Sequence, residues 1–220
     1  MAKKIYFYKM RWIKTHIIIK KVFKNYIWNV PNDSKKIYLT FDDGPTPEIT
    51  QWVLYELKKY NAKATFFCIG NNIQKYPQIL NEILNHHHSV GNHTNNHLNG
   101  WKTASEKYIL NVAYCENELQ KFEQYKLQPK LFRAPYGKIK PAQAKILRLL
   151  GYKIVMWDVI SYDFDKSMSA QKCLKNVLQK TKSGSIIIFH DSNKAAANLK
   201  YALPRLLADL TEKGFAFDKL

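Results

Sequence analysis

The residues of this chain that could hold a metal ion or move a proton fall in a few short blocks. They are Asp42-Asp43-Gly44-Pro45, His93-Thr94-Asn95-Asn96-His97, Arg133-Ala134-Pro135-Tyr136-Gly137 and His190-Asp191, with Asp158 and Asp163 between the last two. His93 and His97 are four apart, so if the segment turns helically both imidazoles point the same way and can grip one ion. Two histidines and a carboxylate with one position left open form a known catalytic metal pattern. Asp42 and Asp43 are neighbours, and on an extended chain they face opposite sides, so one can ligate while the other accepts a proton from water. Each block also has a plainer reading. An isolated His-x-x-x-His pair is often a solvated surface feature, and Asp-Asp-Gly is often a turn with two hydrated acids. His190 could cap a buried strand, Arg133 could pair with any nearby acid, and Tyr136 could simply pack. His86-His87-His88 reads as a solvated helix end rather than a ligand set.

These residues need a scaffold that brings them together, and the hydrophobic pattern supplies one. Short apolar runs (37–41, 64–69, 89–92, 130–133, 153–157, 185–189 and 215–217) alternate with stretches of helical period (47–60, 77–86, 105–124, 141–150, 170–180 and 195–210). Seven such alternations with nearly continuous apolar strands predict an α/β fold, a distorted (β/α) barrel of about seven parallel strands with helices outside. In that architecture the chemistry sits at the C-terminal strand ends, where every block named above falls.

The chain divides by composition. Residues 1–30 carry eight Lys or Arg and no acid, interleaved with aromatics and isoleucine, and a turn cluster at Pro31-Asn32-Asp33-Ser34 follows. We expect a basic aromatic extension over 1–34 and a catalytic domain over 35–220. The extension would either touch a membrane headgroup layer or pack its aromatics on the domain. No apolar run approaches the ~20 residues of a membrane span or the ~7–15 of a secretory signal core. The expected location is therefore cytoplasmic or peripheral to a membrane. Thirty-five Lys and Arg against seventeen acids, a formal +18, favour polyanion contact such as an anionic cell-wall or membrane surface. No nucleic-acid-reading motif accompanies the charge. Cys68, Cys115 and Cys173 are widely spaced and read as buried thiols.

Thr40-Phe41-Asp42-Asp43-Gly44-Pro45, Gly91-Asn92-His93-Thr94-Asn95-Asn96-His97, Arg133-Ala134-Pro135-Tyr136-Gly137 and Ile188-Phe189-His190-Asp191 together resemble, in order, the motif series of the polysaccharide deacetylase (NodB-homology) family. The resemblance implies a hydrolase that removes N-acetyl groups from an N-acetylated glycan, peptidoglycan first and chitin oligomers next, which would place it at the cell envelope. It implies Asp43, His93 and His97 as ligands of a divalent metal, usually Zn2+, with Co2+ also acceptable to that donor set. Asp42 would be the general base, held by Arg133, and His190 the general acid, oriented by Asp163. The backbone N–H of Tyr136 would face the oxyanion. Around the fifth strand the pattern departs from the family, with Ile160 three residues after Trp157 and Phe164 after Asp163. Alternatives are an O-acetyl esterase or cyclic-amide hydrolase on the same site, and a non-catalytic basic module with a relic site.

Overall fold

The structure, a computed structural model, describes residues 12–220; Lys3, Lys4, Lys9 and Arg11 of the basic extension lie outside the described residues. Seven parallel strands, Lys36–Asp42 (β1), Ala64–Cys68 (β2), Ser89–Asn92 (β3), Leu131–Phe132 (β4), Lys153–Ile154 (β5), Val159–Ile160 (β6) and Ile186–His190 (β7), form one curved sheet. Their spatial order is β5-β4-β3-β2-β1-β7-β6, and Ala216–Phe217 (β8) pairs in parallel with the start of β1. This is the distorted half-barrel that the alternation predicts. Helices Ile17–Val22 (α1), Ile49–Lys59 (α2), Gly70–Lys75 (α3), Pro77–Asn85 (α4), Ser105–Leu119 (α5), Glu123–Lys126 (α6), Pro141–Leu149 (α7), Ala170–Lys180 (α8) and Ala196–Glu212 (α9) complete it.

The two-residue period of β1 explains how the barrel aims its chemistry. Ile37, Leu39 and Phe41 point outward into the main core, where Val53 and Leu57 of α2 and Leu203, Leu206 and Leu210 of α9 cover them. Tyr38 points inward with Phe67, Leu131, Val155 and Ile186. Thr40 continues the inward row and receives a hydrogen bond from buried Arg133. Asp42 is the next inward residue, at the mouth. The register of β1 against β7 sets Asp42 beside His190, so the two meet at one end of the sheet.

Three local differences from the expected elements have identifiable causes. The run 153–157 is not one strand: it stops at Ile154, and the chain crosses the open side of the barrel to resume as β6 at the opposite edge of the sheet. Asp158 therefore sits at the start of β6 rather than on the catalytic rim. Its buried carboxylate binds Lys14 at 2.7 Å, Lys20 at 2.5 Å and the Ser185 hydroxyl at 2.6 Å. The helix expected over 105–124 ends at Leu119, because Phe122 turns to pack on the core and Tyr125, in the short α6, returns its hydroxyl to Glu116 of α5 at 2.9 Å. His88 is buried, not solvated: its Nδ1 accepts from the Ala64 backbone N–H, and burial lowers its pKa to about 3.

The N-terminal segment fills the open side. Ile13 and Thr15 exchange backbone hydrogen bonds with Ile160 and Asp158, while Ile27 bonds the backbones of Ile154 and Met156. Trp28 is buried against Tyr108, Phe132 and Ile154. The three cysteines are buried and unpaired.

Candidate metal centre and catalytic mouth

The structure brings Asp43, His93 and His97 together: one ligand atom from each lies within 4.8 Å of the others. His93 Nε2 is 3.7 Å and His97 Nε2 3.2 Å from Asp43 Oδ1. The outward ring nitrogens fix which lone pairs face inward. His93 Nδ1 lies 2.8 Å from the Arg133 carbonyl oxygen, a pure acceptor, so Nδ1 carries the proton and Nε2 presents its lone pair. His97 Nδ1 lies 3.1 Å from the Tyr136 hydroxyl. Asp43 Oδ1 is buried with no hydrogen-bond partner. An orphaned carboxylate oxygen faced by two imidazole nitrogens is an arrangement that a cation satisfies. The donor set of two nitrogens and one oxygen suits a divalent ion of the zinc type.

Electrostatics keep the donors in ligating form. Burial lowers the His93 pKa to about 4, against the opposing pull of Asp42 and Asp43, so the ring is neutral at pH 7. Burial resists ionisation of Asp43, but the imidazoles of His97, His190 and His93 around it outweigh that and hold the carboxyl well below its ordinary range.

The two histidines do not reach this geometry through a helix. His93 follows β3 directly, while Thr94 (φ 63°) and His97 (φ 55°) take left-handed conformations that fold the intervening loop back. Asp43 (φ 84°) and Tyr136 (φ 60°) are left-handed as well. Such residues cost about 1–3 kcal/mol each and persist only when their surroundings hold them. For the histidine loop the holder is Asn111 of α5. Its Oδ1 accepts from the Asn95 and Asn96 backbone N–H groups at 2.9 and 3.0 Å, and its Nδ2 donates to Asn96 Oδ1 at 2.6 Å. Asn92 adds a bond from the Thr94 N–H to its Oδ1.

The Asp43 turn has its own clamp. Asp191 Oδ1 accepts from the Gly44 N–H at 3.0 Å, its Oδ2 accepts from the Thr50 hydroxyl at 2.5 Å, and its own N–H donates to the Asp42 carbonyl. Gly44 has no alternative there, since a Cβ would stand 2.1 Å from Asp191 Oδ2. On the other side Asn72 of α3 donates to the Asp43 carbonyl at 2.7 Å. Sequence reasoning placed Asp191 on the rim without a role and missed Asn72, Thr50 and Asn111. Asn72 and Asn111 lie on helices whose period marks them only as polar positions, so no local signal distinguishes them.

Asp42, Arg133, His190 and Asp163 form the rest of the mouth. Arg133 is fully buried, and each of its donor nitrogens is used: Nη1 to Asp42 Oδ1 and Thr40 Oγ1, both 2.7 Å, Nη2 to the Met156 carbonyl at 2.8 Å and Nε to the Val155 carbonyl at 3.2 Å. Its guanidinium stacks 4.1 Å from the Phe67 ring. This leaves Asp42 Oδ2 facing the histidine cluster, 3.9 Å from His93 Nε2. Asp163 joins His190 despite the departures at Ile160 and Phe164. Its Oδ1 lies 2.8 Å from His190 Nδ1, and Phe164 sits edge-on to the His190 ring. Burial disfavours the imidazolium, but Asp163, with Asp43 and Asp42 beyond it, raises the His190 pKa to about 9.

A cleft of about 450 Å³ opens beside the metal ligands, lined by Asp43 and His97 together with Asn72, Tyr76 and Lys194. Tyr136 stands against His97, 61% exposed, and among the described residues nothing accepts from its backbone N–H. Gly137 lets this turn approach Trp157, because a Cβ there would lie 2.5 Å from the indole.

Residues 29–155 match the polysaccharide deacetylase family. The chain is 35% identical over 195 residues to a peptidoglycan-N-acetylglucosamine deacetylase of Bacillus cereus, covering 86% of this chain and 88% of that one. It is 31% identical to a chitooligosaccharide deacetylase of Azorhizobium caulinodans, covering 87% and 95%. A crystal structure of a peptidoglycan N-acetylglucosamine deacetylase in complex with a naphthalenyl N-oxidanyl-benzamide superposes with a TM-score of 0.84 at 35% identity, over 92% of this chain and 94% of that one. With four motif blocks gathered at one barrel mouth and agreement across nearly its whole length, this chain belongs to the polysaccharide deacetylase family.

Proposed function

We propose that this protein is a metal-dependent N-deacetylase of N-acetylglucosamine units in peptidoglycan, working from the 35–220 domain. The observation that carries the reading is the orphaned Asp43 Oδ1 between two inward-facing imidazole nitrogens, beside one carboxylate and one imidazolium. Asp43, His93 and His97 would hold the ion, Zn2+ by donor set with Co2+ as a substitute. When bound, such an ion supplies Lewis acidity to the acetyl carbonyl and makes a nearby water easier to deprotonate.

The remaining steps belong to the protein. Asp42, fixed through Oδ1 by Arg133, takes the proton of the attacking water on Oδ2. The free backbone N–H of Tyr136 donates to the oxygen that becomes negative as the carbonyl is attacked. His190, kept protonated through its hydrogen bond to Asp163, delivers its proton to the departing nitrogen, so a free amine and acetate leave. The nearly full-length likeness to a peptidoglycan-N-acetylglucosamine deacetylase supports peptidoglycan over chitin oligomers as the polymer.

The experiment is acetate release by the purified, zinc-loaded protein from peptidoglycan and from N-acetylglucosamine oligomers, with O-acetylated xylan as the comparison. Amine and acetate in equal amounts from the N-acetyl substrates support the proposal. Release from O-acetyl esters alone would make the protein an esterase. No release from any substrate, in a protein that also holds no stoichiometric ion, would leave the relic reading.

A further inference from the structure

The outer face of the N-terminal segment reverses the usual polarity of a surface helix. Lys20 of α1 turns inward to the buried Asp158 carboxylate, and Ile19 packs inward near Trp28. Ile17, Ile18 and Val22 point outward, at 58%, 62% and 66% exposure, with Trp12 and Phe23 beside them at 52% and 43%. Five large apolar side chains thus lie open within twelve consecutive residues. On a helix, positions 17, 18, 21 and 22 span one continuous arc, and the fourth of these is Lys21, exposed like Lys24. Apolar side chains bordered by lysines, with a tryptophan and a phenylalanine among them, are the composition of a surface that sits at the lipid headgroup boundary.

The segment cannot fold this face away. It is fastened on both sides, by the backbone bonds of Ile13 and Thr15 to Ile160 and Asp158 and by those of Ile27 to Ile154 and Met156. Lys14 and Lys20 both bind Asp158, and Trp28 is buried. Residues 1–11, directly before it, add Lys3, Lys4, Lys9 and Arg11, four aromatic or isoleucine residues at 5–8, and no acid. We propose that the exposed face of Trp12 to Lys24 docks this protein on an anionic lipid bilayer, as a peripheral contact rather than a span. Among the described residues no helix is long and apolar enough to cross a membrane. The charge decides the partner: the charged side chains of Trp12 to Lys24 are all lysines, which complements phosphate-bearing headgroups, whereas a second copy would set lysines against lysines.

The test is co-sedimentation of the full chain with phosphatidylcholine vesicles made with and without phosphatidylglycerol, alongside the doubly substituted Ile18→Asp/Val22→Asp protein. Binding to the anionic vesicles, weakened by about tenfold or more in that variant with melting temperature and acetate release unchanged, is the expected result. A Lys21→Glu/Lys24→Glu protein, which keeps the apolar face, should lose preference for the anionic vesicles. Three results would overturn the proposal: no vesicle binding, anionic-vesicle binding undiminished by Ile18→Asp/Val22→Asp, which reduces the contact to charge alone, or concentration-dependent dimerisation without lipid that the same variant abolishes.

Discussion

Asp163 grips His190 at two points. Its Oδ1 lies 2.8 Å from the ring Nδ1, and its Oδ2 accepts from the His190 backbone N–H at 2.8 Å. The carboxylate thus fixes both the direction of the imidazole and the end of β7 that carries it, and raises the ring pKa to about 9.

A general acid works only while protonated, so activity should fall as pH rises through the His190 pKa. Asp163→Asn removes the charge that raises that pKa, so the alkaline limb of kcat against pH should move to lower pH, while His190→Ala should lower kcat by about 10²–10⁴-fold at neutral pH. The measurement is kcat against pH for the three proteins. An unmoved alkaline limb in Asp163→Asn would assign it to another group.

Metal content should follow the three clustered donors. Asp43→Ala, His93→Ala and His97→Ala should each lose stoichiometric zinc by elemental analysis and lose acetate release. Chelation of the parent protein should abolish activity reversibly and lower its melting temperature, since an ion held only by the folded state stabilises it by about 2.7 kcal/mol at a hundredfold excess over Kd.

The clamps around the ligand loops should be felt in metal affinity rather than in chemistry. Asn111→Ala removes the side-chain acceptor shared by the Asn95 and Asn96 N–H groups between the two histidines, leaving Asn95 only the Asn111 carbonyl, and Thr50→Val removes the hydroxyl that holds Asp191 against Gly44. Each should weaken zinc binding by about 10–100-fold, the usual cost of removing a partner that orients a ligand. Competition with a chelating dye reads this directly, and kcat at saturating zinc should change much less.

Arg133→Met should be among the most destabilising single changes. It keeps the bulk over Phe67 but leaves the Asp42 carboxylate buried without its cation, and breaking such a pair costs about 3–5 kcal/mol. Urea unfolding gives the loss. In Arg133→Met/Asp42→Asn, which removes the stranded charge, part of the stability should return while activity stays absent.

The amino-acid pattern by itself determined the alternation of strands and helices, the parallel half-barrel and the chemical blocks at the strand ends. These follow from periodicity and residue type, which are local properties. Asp42, Asp43, His93, Arg133 and His190 follow apolar strands, and any parallel sheet delivers them to one end. What the pattern could not supply was relationship across distance. The pairing of β6 with β7 removed Asp158 from the mouth and gave it to Lys14 and Lys20, because one apolar run turned out to be split between opposite edges of the sheet. The histidines meet through left-handed turns at Thr94 and His97 rather than through helical spacing, and Asn111 of α5 holds those turns from outside the loop. Spacing along a chain limits which side chains could meet. Only the packed backbone, with its hydrogen bonds counted, decides which ones do, because the energy that holds a strained ligand loop comes from residues that are neighbours in space alone.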